Sequence, residues 1–204
     1  MGFYSQVIFP RLCDFFLNQP LVAHHRQELL AHAGGDILEI GFGSGLNLPC
    51  YPAAIRKIAT VDPNVGMYRR ARKRIEKARI EIDQRVQSGE KLPFEGERFD
   101  CVVSTFTLCS IPNVQQALAE VYRVLKTGGK FLVLEHGLCS ELNVQKWQHR
   151  LNGLQRTLAE GCHLDRNIQA LVRAQPFACV QMDEFYLEKT PKTHGYMYRG
   201  TATK

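Results

Sequence analysis

No Cys-x-x-Cys pair occurs in this chain, although it carries seven cysteines, at Cys13, Cys50, Cys101, Cys109, Cys139, Cys162 and Cys179. An odd number without paired spacing gives poor support to a disulfide framework or a zinc site. Thiols of this kind fit a reducing cytosol. No apolar run approaches the roughly 18 residues that span a bilayer. The opening MGFYSQ lacks a charged region followed by an apolar stretch, so it does not read as a secretory signal. Gln6 stands where a myristoylation motif requires Ser or Thr. Internal repeats, low-complexity tracts and long linkers are also missing. The expectation is a soluble cytoplasmic protein with a single domain over residues 1–204.

What is present is ordinary globular material. Apolar residues make up 45% of the 204, enough for a sizeable core, and the 23% charged share argues against bulk disorder. The net charge of +6 attracts anions only weakly and says nothing of fold. Pro10 and Pro20 sit where first helical turns begin, so the first thirty-odd residues read as helices. Short apolar runs follow at Ile37–Ile40, Ile58–Val61, Cys101–Val103 and Phe131–Leu134, as buried parallel strands require. Arg79–Val86 alternates less cleanly and is a further strand candidate. Helical patterns separate them: one over Asn64–Ala78, another with Val114, Ala117, Leu118, Val121, Tyr122 and Leu125 on one face, ended by Thr127-Gly128-Gly129. Strand and helix in alternation mean an α/β protein, doubly wound around a parallel sheet.

The last third changes character. Val144, Trp147, Leu151, Leu154 and Leu158 are spaced 3, 4, 3, 4, which predicts a helix with that stripe as core. Asp165 is placed to cap a second helix with Ile168, Leu171 and Val172 inward. Two strand-like stretches, Ala178–Leu187 and Gly195–Ala202, form an antiparallel pair at a sheet edge.

The sharpest local signal is LEIGFGSGLNLP, Leu38 to Pro49. Gly41, Gly43 and Gly45 let the backbone turn tightly and approach a ligand, and Ser44 can open a helix whose free N–H groups face it. Alone, such a loop can also be a plain strand–helix turn. Asp62, about twenty residues on and after the next strand, can accept from both hydroxyls of a ribose, or can serve as a turn residue before Pro63. The dinucleotide fingerprint needs Gly or Ala where this chain has Leu46, and no Lys or Arg follows to hold a pyrophosphate. Glu39 would repel a pyrophosphate but suits the cationic end of a sulfonium or amino-acid cofactor.

With these features the chain resembles the class I S-adenosylmethionine-dependent methyltransferases along nearly its whole length. ILEIGFGSG resembles the family's first motif, VDPN at 61–64 its second, and SGEKLPF with RFDCVVS the segments around its third and fourth strands. LAEVYRVLKTGGKFLVLEHG, Leu118 to Gly137, is similar to ubiquinone/menaquinone-type and phospholipid N-methyltransferases. TLCSIPN, LEHG, GCHLDR and GYMYRGTA resemble the small-molecule thiol S-methyltransferases and their soluble bacterial relatives; the animal members carry an apolar anchor that this chain lacks. The resemblance implies a Rossmann-like seven-stranded, mostly parallel sheet with an antiparallel last strand and helices on both faces. An N-terminal helical cap would occupy 1–33, the cofactor core 34–137, a helical lid 138–175 and closing strands 176–204.

It also implies S-adenosyl-L-methionine as cofactor and S-adenosyl-L-homocysteine as product. Glu39, Gly41, Phe42, Gly43, Gly45 and Asn47 would surround the methionine end. Asp62 would hold the ribose, Pro63 and Asn64 would lie beside the adenine, and Ser88, Gly89 and Glu90 at its edge. Many relatives have Asp where this chain has Ser88, a weaker acceptor from the adenine amine. Ser104 and Thr105, ending the fourth strand, complete the set.

Methyl transfer from a sulfonium is an in-line displacement, so the protein's task is to hold a nucleophile about 3 Å from the methyl. A base is needed only where the nucleophile must lose a proton. His136 is the candidate base, since imidazole titrates near neutral pH; it is equally placed to be a hydrogen-bonded structural histidine. Cys109 is a candidate substrate contact or an inert buried thiol. Trp147, His149, Arg150, Asn152, Cys162, His163 and Arg166 belong to the lid, with Arg150 and Arg166 as polar contributors toward a substrate and Tyr4 and Phe9 covering the other side. The basic run Arg69, Arg70, Arg72, Lys73, Arg74, Lys77 and Arg79 has few aromatics and reads as a solvated helix face, so nucleic acid is not expected as a partner.

Three function classes follow. The first is methylation of a small molecule, such as a thiol. The second is methylation of a phospholipid amine or quinone, with peripheral membrane contact. The third is a non-catalytic S-adenosylmethionine-binding partner of another chain. A nicotinamide-dependent oxidoreductase would require tight NADH binding. Oligomeric state is not written in the sequence.

Overall fold

Ile37–Ile40 (β1) is buried at all four positions, a pattern met only where a strand is covered on both faces. A computed structural model, which describes residues 2–204, shows why. β1 lies mid-sheet, parallel to Lys57–Val61 (β2) on one side and Phe99–Thr105 (β4) on the other, with Leu38 facing both Ala59 and Val102. Glu81–Arg85 (β3) joins β2, Leu125–His136 (β5) joins β4, and Cys179–Tyr186 (β6) and Tyr196–Thr203 (β7) complete a seven-stranded sheet in the order β3-β2-β1-β4-β5-β7-β6. The last two strands run antiparallel, Phe131 opposite Ala202 and Val180 opposite Ala202. The order reverses between β1 and β4, and a crevice at the carboxyl ends of those strands is where open α/β sheets take ligands.

Each face of the sheet has its own apolar cluster. Leu118, Val121, Ile168 and Val172, from helices Val114–Val124 (α4) and Ile168–Arg173 (α6), pack on one side. Leu29, Leu30 and Ala71, from Pro20–Leu30 (α2) and Val65–Lys77 (α3), pack on the other. Asn64 caps α3, its side chain accepting from Gly66 N–H at 2.9 Å. A π-helical turn, Tyr4–Ile8, runs into helix Phe9–Leu17 (α1) and crosses α3 at Gly66, where an added Cβ would lie 2.3 Å from the Gln6 carbonyl oxygen.

Several local expectations are corrected. The glycine loop does not open an α-helix at Ser44; only a 3-10 turn, Leu48–Cys50, separates β1 from β2. α4 ends at Val124, before Thr127-Gly128-Gly129, because β5 begins at Leu125 and the glycine turn sits inside it, bonded to the Lys204 backbone. The cap of α6 is Asn167, which accepts from Ala170 N–H at 2.9 Å, while Asp165 accepts from Asn152 at 2.7 Å.

The helix Leu142–Leu158 (α5) faces the core with only part of its apolar stripe. Its stripe was expected inward, yet Trp147 is 56% exposed, Leu154 59% and Leu158 54%. Gln148 and Asn152 are the buried residues. Gln148 bonds the Cys139 N–H and the Gly137 and Thr193 carbonyls, and Asn152 bonds the Leu164 N–H. Buried loop backbone demands partners, and α5 docks by supplying them, which turns Trp147, Leu154 and Leu158 to solvent while Val144 keeps its packing on the core. The basic run is likewise not uniform: Arg70 and Arg74 turn inward to Asp14 of α1.

Candidate active site

A cavity of about 310 Å³ opens at the carboxyl ends of β1, β2 and β4. Its floor is the glycine loop. Gly41 has φ +69, and an added Cβ there would lie 2.0 Å from Thr107 Oγ1, so glycine alone lets the loop pass beneath the segment after β4. Asp62 follows β2 and locks the loop: one carboxylate oxygen accepts from Gly43 N–H at 2.8 Å, the other from Asn64 N–H at 2.7 Å. Burial raises the Asp62 carboxyl against those two bonds.

Beside the loop lies a buried polar chain. Arg26 of α2, 3% exposed, donates through Nη1 to Asn47 Oδ1 at 2.6 Å and Thr105 Oγ1 at 2.7 Å. Asn47 donates onward to Glu39 Oε1 at 2.9 Å, and Tyr51 donates to Glu39 Oε2 at 2.7 Å. Burial pushes the Glu39 carboxyl up to about 7, opposed by the Tyr51 and Asn47 bonds and the Arg26 charge. Burial also lowers the Arg26 pKa. Arg26 lines the cavity, and its Nε is buried without a hydrogen-bond partner among the described residues.

The N-terminal turn closes over this space. Ser5 Oγ donates to Glu160 Oε2 at 2.9 Å, and both residues line the cavity. Tyr4 donates to the Leu158 carbonyl, tying the cap to α5.

Of the residues singled out in the sequence, Phe9, Glu39, Gly41, Phe42, Gly43, Asn47, Asp62, Pro63, Asn64, Ser88, Gly89 and Thr105 line the cavity. The others stand elsewhere. Gly45 (φ +75) makes the turn that lets Leu48 and Ala71 pack closely. Glu90 accepts from Ser88 Oγ and the Asn113 N–H. Ser104 donates to buried Glu135 at 2.8 Å. Arg150 stacks over the exposed Trp147 ring, 5.2 Å from its centroid. The Arg166 guanidinium is taken up by the carbonyls of Leu108, Ile111 and Pro112, so it straps the loop after β4 to the loop after α5. Cys109 and His136 sit in a buried group with Cys162, outside the lining. His149 and His163 both face Asp165.

Sequence reasoning missed Arg26, Cys13, Phe106 and Glu160 in the lining. Ser44 of the glycine loop and Thr107 after the fourth strand, both within reach of the sequence, line it too. Arg26 was not within that reach, because it lies mid-helix with no motif around it.

Residues 38–133 match the family described as a methyltransferase domain. The central part of this chain is a methyltransferase domain. The methyltransferase is 37% identical to human thiol S-methyltransferase TMT1A over 68% of its own length and 58% of that protein's, so it spans little more than half of that relative. It is 29% identical to the phosphatidylethanolamine N-methyltransferase of Cereibacter sphaeroides, over 85% of this chain and 83% of that one. Its fold is similar to that of an S-adenosylmethionine-dependent methyltransferase from Thermotoga maritima, with TM-score 0.66, 22% identity and coverage of 97% and 98%.

The residues present fit the cofactor. The unpaired Nε of Arg26 suits a carboxylate, Glu39 suits an ammonium group and Asp62 suits a ribose diol. The loop at Gly43 leaves open space, since only the Gly41 carbonyl lies within 4 Å of an added Cβ. The cofactor supplies an activated methyl on a positive sulfur. When it is bound, Arg26, Glu39 and Asp62 would hold and orient it, beneath the Ser5–Glu160 contact.

Proposed function

We propose that the methyltransferase alkylates a small-molecule thiol. The observation that carries this reading is the lining. Phe9 and Leu17 of α1, Phe106 after β4 and Ile111 give the cavity apolar walls. A soft, poorly hydrated thiolate suits such walls, and an acceptor that loses its proton in solution, where a free thiol has a pKa of about 8.5, enters already ionised and asks no dedicated base of the cavity. His136, outside the lining, is then not required for proton removal. Cys13 lines the cavity, but burial pushes its thiol up to about 11, which keeps it protonated and a poor competitor for the methyl. The likeness to a thiol S-methyltransferase supports the acceptor class, and free cysteines suit action in a reducing cytoplasm.

Turnover of labelled methyl groups against a panel of thiols, amines and quinones tests the reading. Product with thiols is expected. Product confined to amines or quinones overturns it.

A second reading, a phospholipid amine or quinone as acceptor, is favoured by one observation. α1 places Phe9 and Leu17 in the cavity while exposing Phe15 at 67% and Phe16 at 65% beside it. No helix among the described residues is long and apolar enough to cross a membrane, so contact would be peripheral. Protein left wholly in the supernatant after sedimentation with anionic liposomes removes this reading.

A further inference from the structure

Cys109, His136 and Cys162 meet from three segments distant in sequence. Cys109 lies after β4, His136 ends β5, and Cys162 follows α5. The two sulfurs and a ring nitrogen of His136 all fall within 4.8 Å of one another. His136 Nε2 stands 3.0 Å from Cys162 Sγ. Both cysteines are buried.

The surroundings hold this arrangement in place. His163 N–H donates to the Cys109 carbonyl at 2.9 Å, pinning the two cysteine-bearing loops together. The Arg166 strap repeats the tie. Gln155 Nε2 donates to Cys162 Sγ at 3.5 Å, the kind of outer contact that supports a metal-bound thiolate. Phe106, which lines the cavity, stacks against the His136 ring at 6.5 Å, and Ser110, next to Cys109, lines it too. The group therefore sits directly behind the cavity wall.

Two sulfurs and one imidazole nitrogen are a donor set that suits zinc. With metal–sulfur bonds of about 2.3 Å and metal–nitrogen bonds of about 2.0 Å, tetrahedral ligand atoms lie roughly 3.5–3.8 Å apart. From the observed spread, His136 and Cys162 must open slightly from 3.0 Å, and any pair near the 4.8 Å limit must close by about 1 Å. Three protein ligands leave a fourth position open, as in catalytic zinc sites.

We propose that Cys109, His136 and Cys162 bind one zinc ion whose fourth position takes a small thiol. The thiol rests on the acceptor class proposed above; the metal does not. On binding, the two S–H bonds break, two zinc–sulfur bonds form, both protons pass to solvent, and His136 ligates as neutral imidazole. An incoming thiol likewise gives up its proton to solvent. No oxidant or reductant takes part.

The test uses the whole chain, stripped of metal and kept reduced with a phosphine, and titrated with cobalt(II) as a visible probe and with zinc against a chromophoric chelator. One equivalent is expected, with a sulfur-to-cobalt charge-transfer band and the strong visible bands of four-coordination. C109S and C162S should each weaken zinc binding on the order of a hundredfold, while C179S, at an exposed cysteine, leaves it unchanged. Calorimetric binding of S-adenosylhomocysteine shows whether each variant is folded. In the wild-type chain, zinc should also protect two thiols from a thiol-modifying reagent, a readout that needs no variant.

Absence of stoichiometric cobalt in reduced protein overturns the site. So does a cobalt spectrum unmoved by C162S. Mercaptoethanol should shift the cobalt bands, and unchanged bands overturn the open position. These measurements need no acceptor turnover, so their failure is distinct from failure of the thiol panel.

Discussion

Asp14 of α1 accepts a 2.7 Å hydrogen bond from the Ser44 hydroxyl of the glycine loop. The same carboxylate takes Arg74 at 2.7 Å and Arg70 at 3.1 Å. Despite its burial, those three partners hold it below the usual carboxylate range. The N-terminal helix is thus anchored to the cofactor loop itself. Asp14→Ala is expected to cost about 2–3 kcal/mol, since it removes charged hydrogen bonds and leaves two arginines facing a gap. For a chain of this size that is a fall in Tm of roughly 4–12 °C. S-adenosylhomocysteine binding should weaken several-fold alongside. An unchanged melting curve would show that α1 is held by other contacts.

Asp62→Ala strips the acceptor from the Gly43 and Asn64 N–H groups, both bonded within 2.8 Å. It also removes the proposed ribose contact. Calorimetry should show S-adenosylhomocysteine affinity lowered by about 10- to 100-fold, equivalent to about 1.4–2.8 kcal/mol. Affinity within a factor of two of wild type contradicts the assigned role.

Glu39 carries a pH signature. Burial raises its folded pKa from the ordinary 4.5 to about 7. Between those values the folded chain holds the proton that the unfolded chain has released. Its contribution to stability therefore falls as pH rises across that window. An ammonium group placed against Glu39 favours the carboxylate, so ligand binding near pH 6 should release a proton. Binding enthalpies measured in buffers of different ionisation heat should differ for wild type and converge for Glu39→Gln. Equal enthalpies in the wild type would mean that Glu39 is already ionised in the free protein.

Phe15 and Phe16 are mostly exposed, so Phe15→Asp with Phe16→Asp should leave the melting temperature within a few degrees of wild type. A large destabilisation would mean that this face is covered in solution. The same variant separates a lipid-contacting role from a packing role, since only the first predicts a change in liposome sedimentation.

The central strands were legible because a parallel strand covered on both faces is written as an unbroken apolar run. Ile37–Ile40 and Ile58–Val61 read that way, and Asp62 was found by its place after the second. β3 was harder because its residues are half-buried or exposed, and alternation blurs there. α5 misled by periodicity alone: a 3, 4, 3, 4 stripe marks a helix face but not the direction it points. That direction was set by Gln148 and Asn152 answering loop backbone. Arg26 reaches the cavity from a helix without a motif, and the Cys109–His136–Cys162 group joins positions 26 or 27 residues apart in sequence. Such convergence is a property of topology and leaves no local mark.

The position of β7 between β5 and β6 sets an order of assembly. β6 emerges first from the ribosome, yet its hydrogen-bonding partner is the strand translated after it. Until Tyr196–Thr203 has been synthesised, β5 presents an open edge and His136 lacks its neighbour Met197. A nascent chain stalled before that point would expose two unpaired ribbons, the surface that chaperones shield and aggregates recruit.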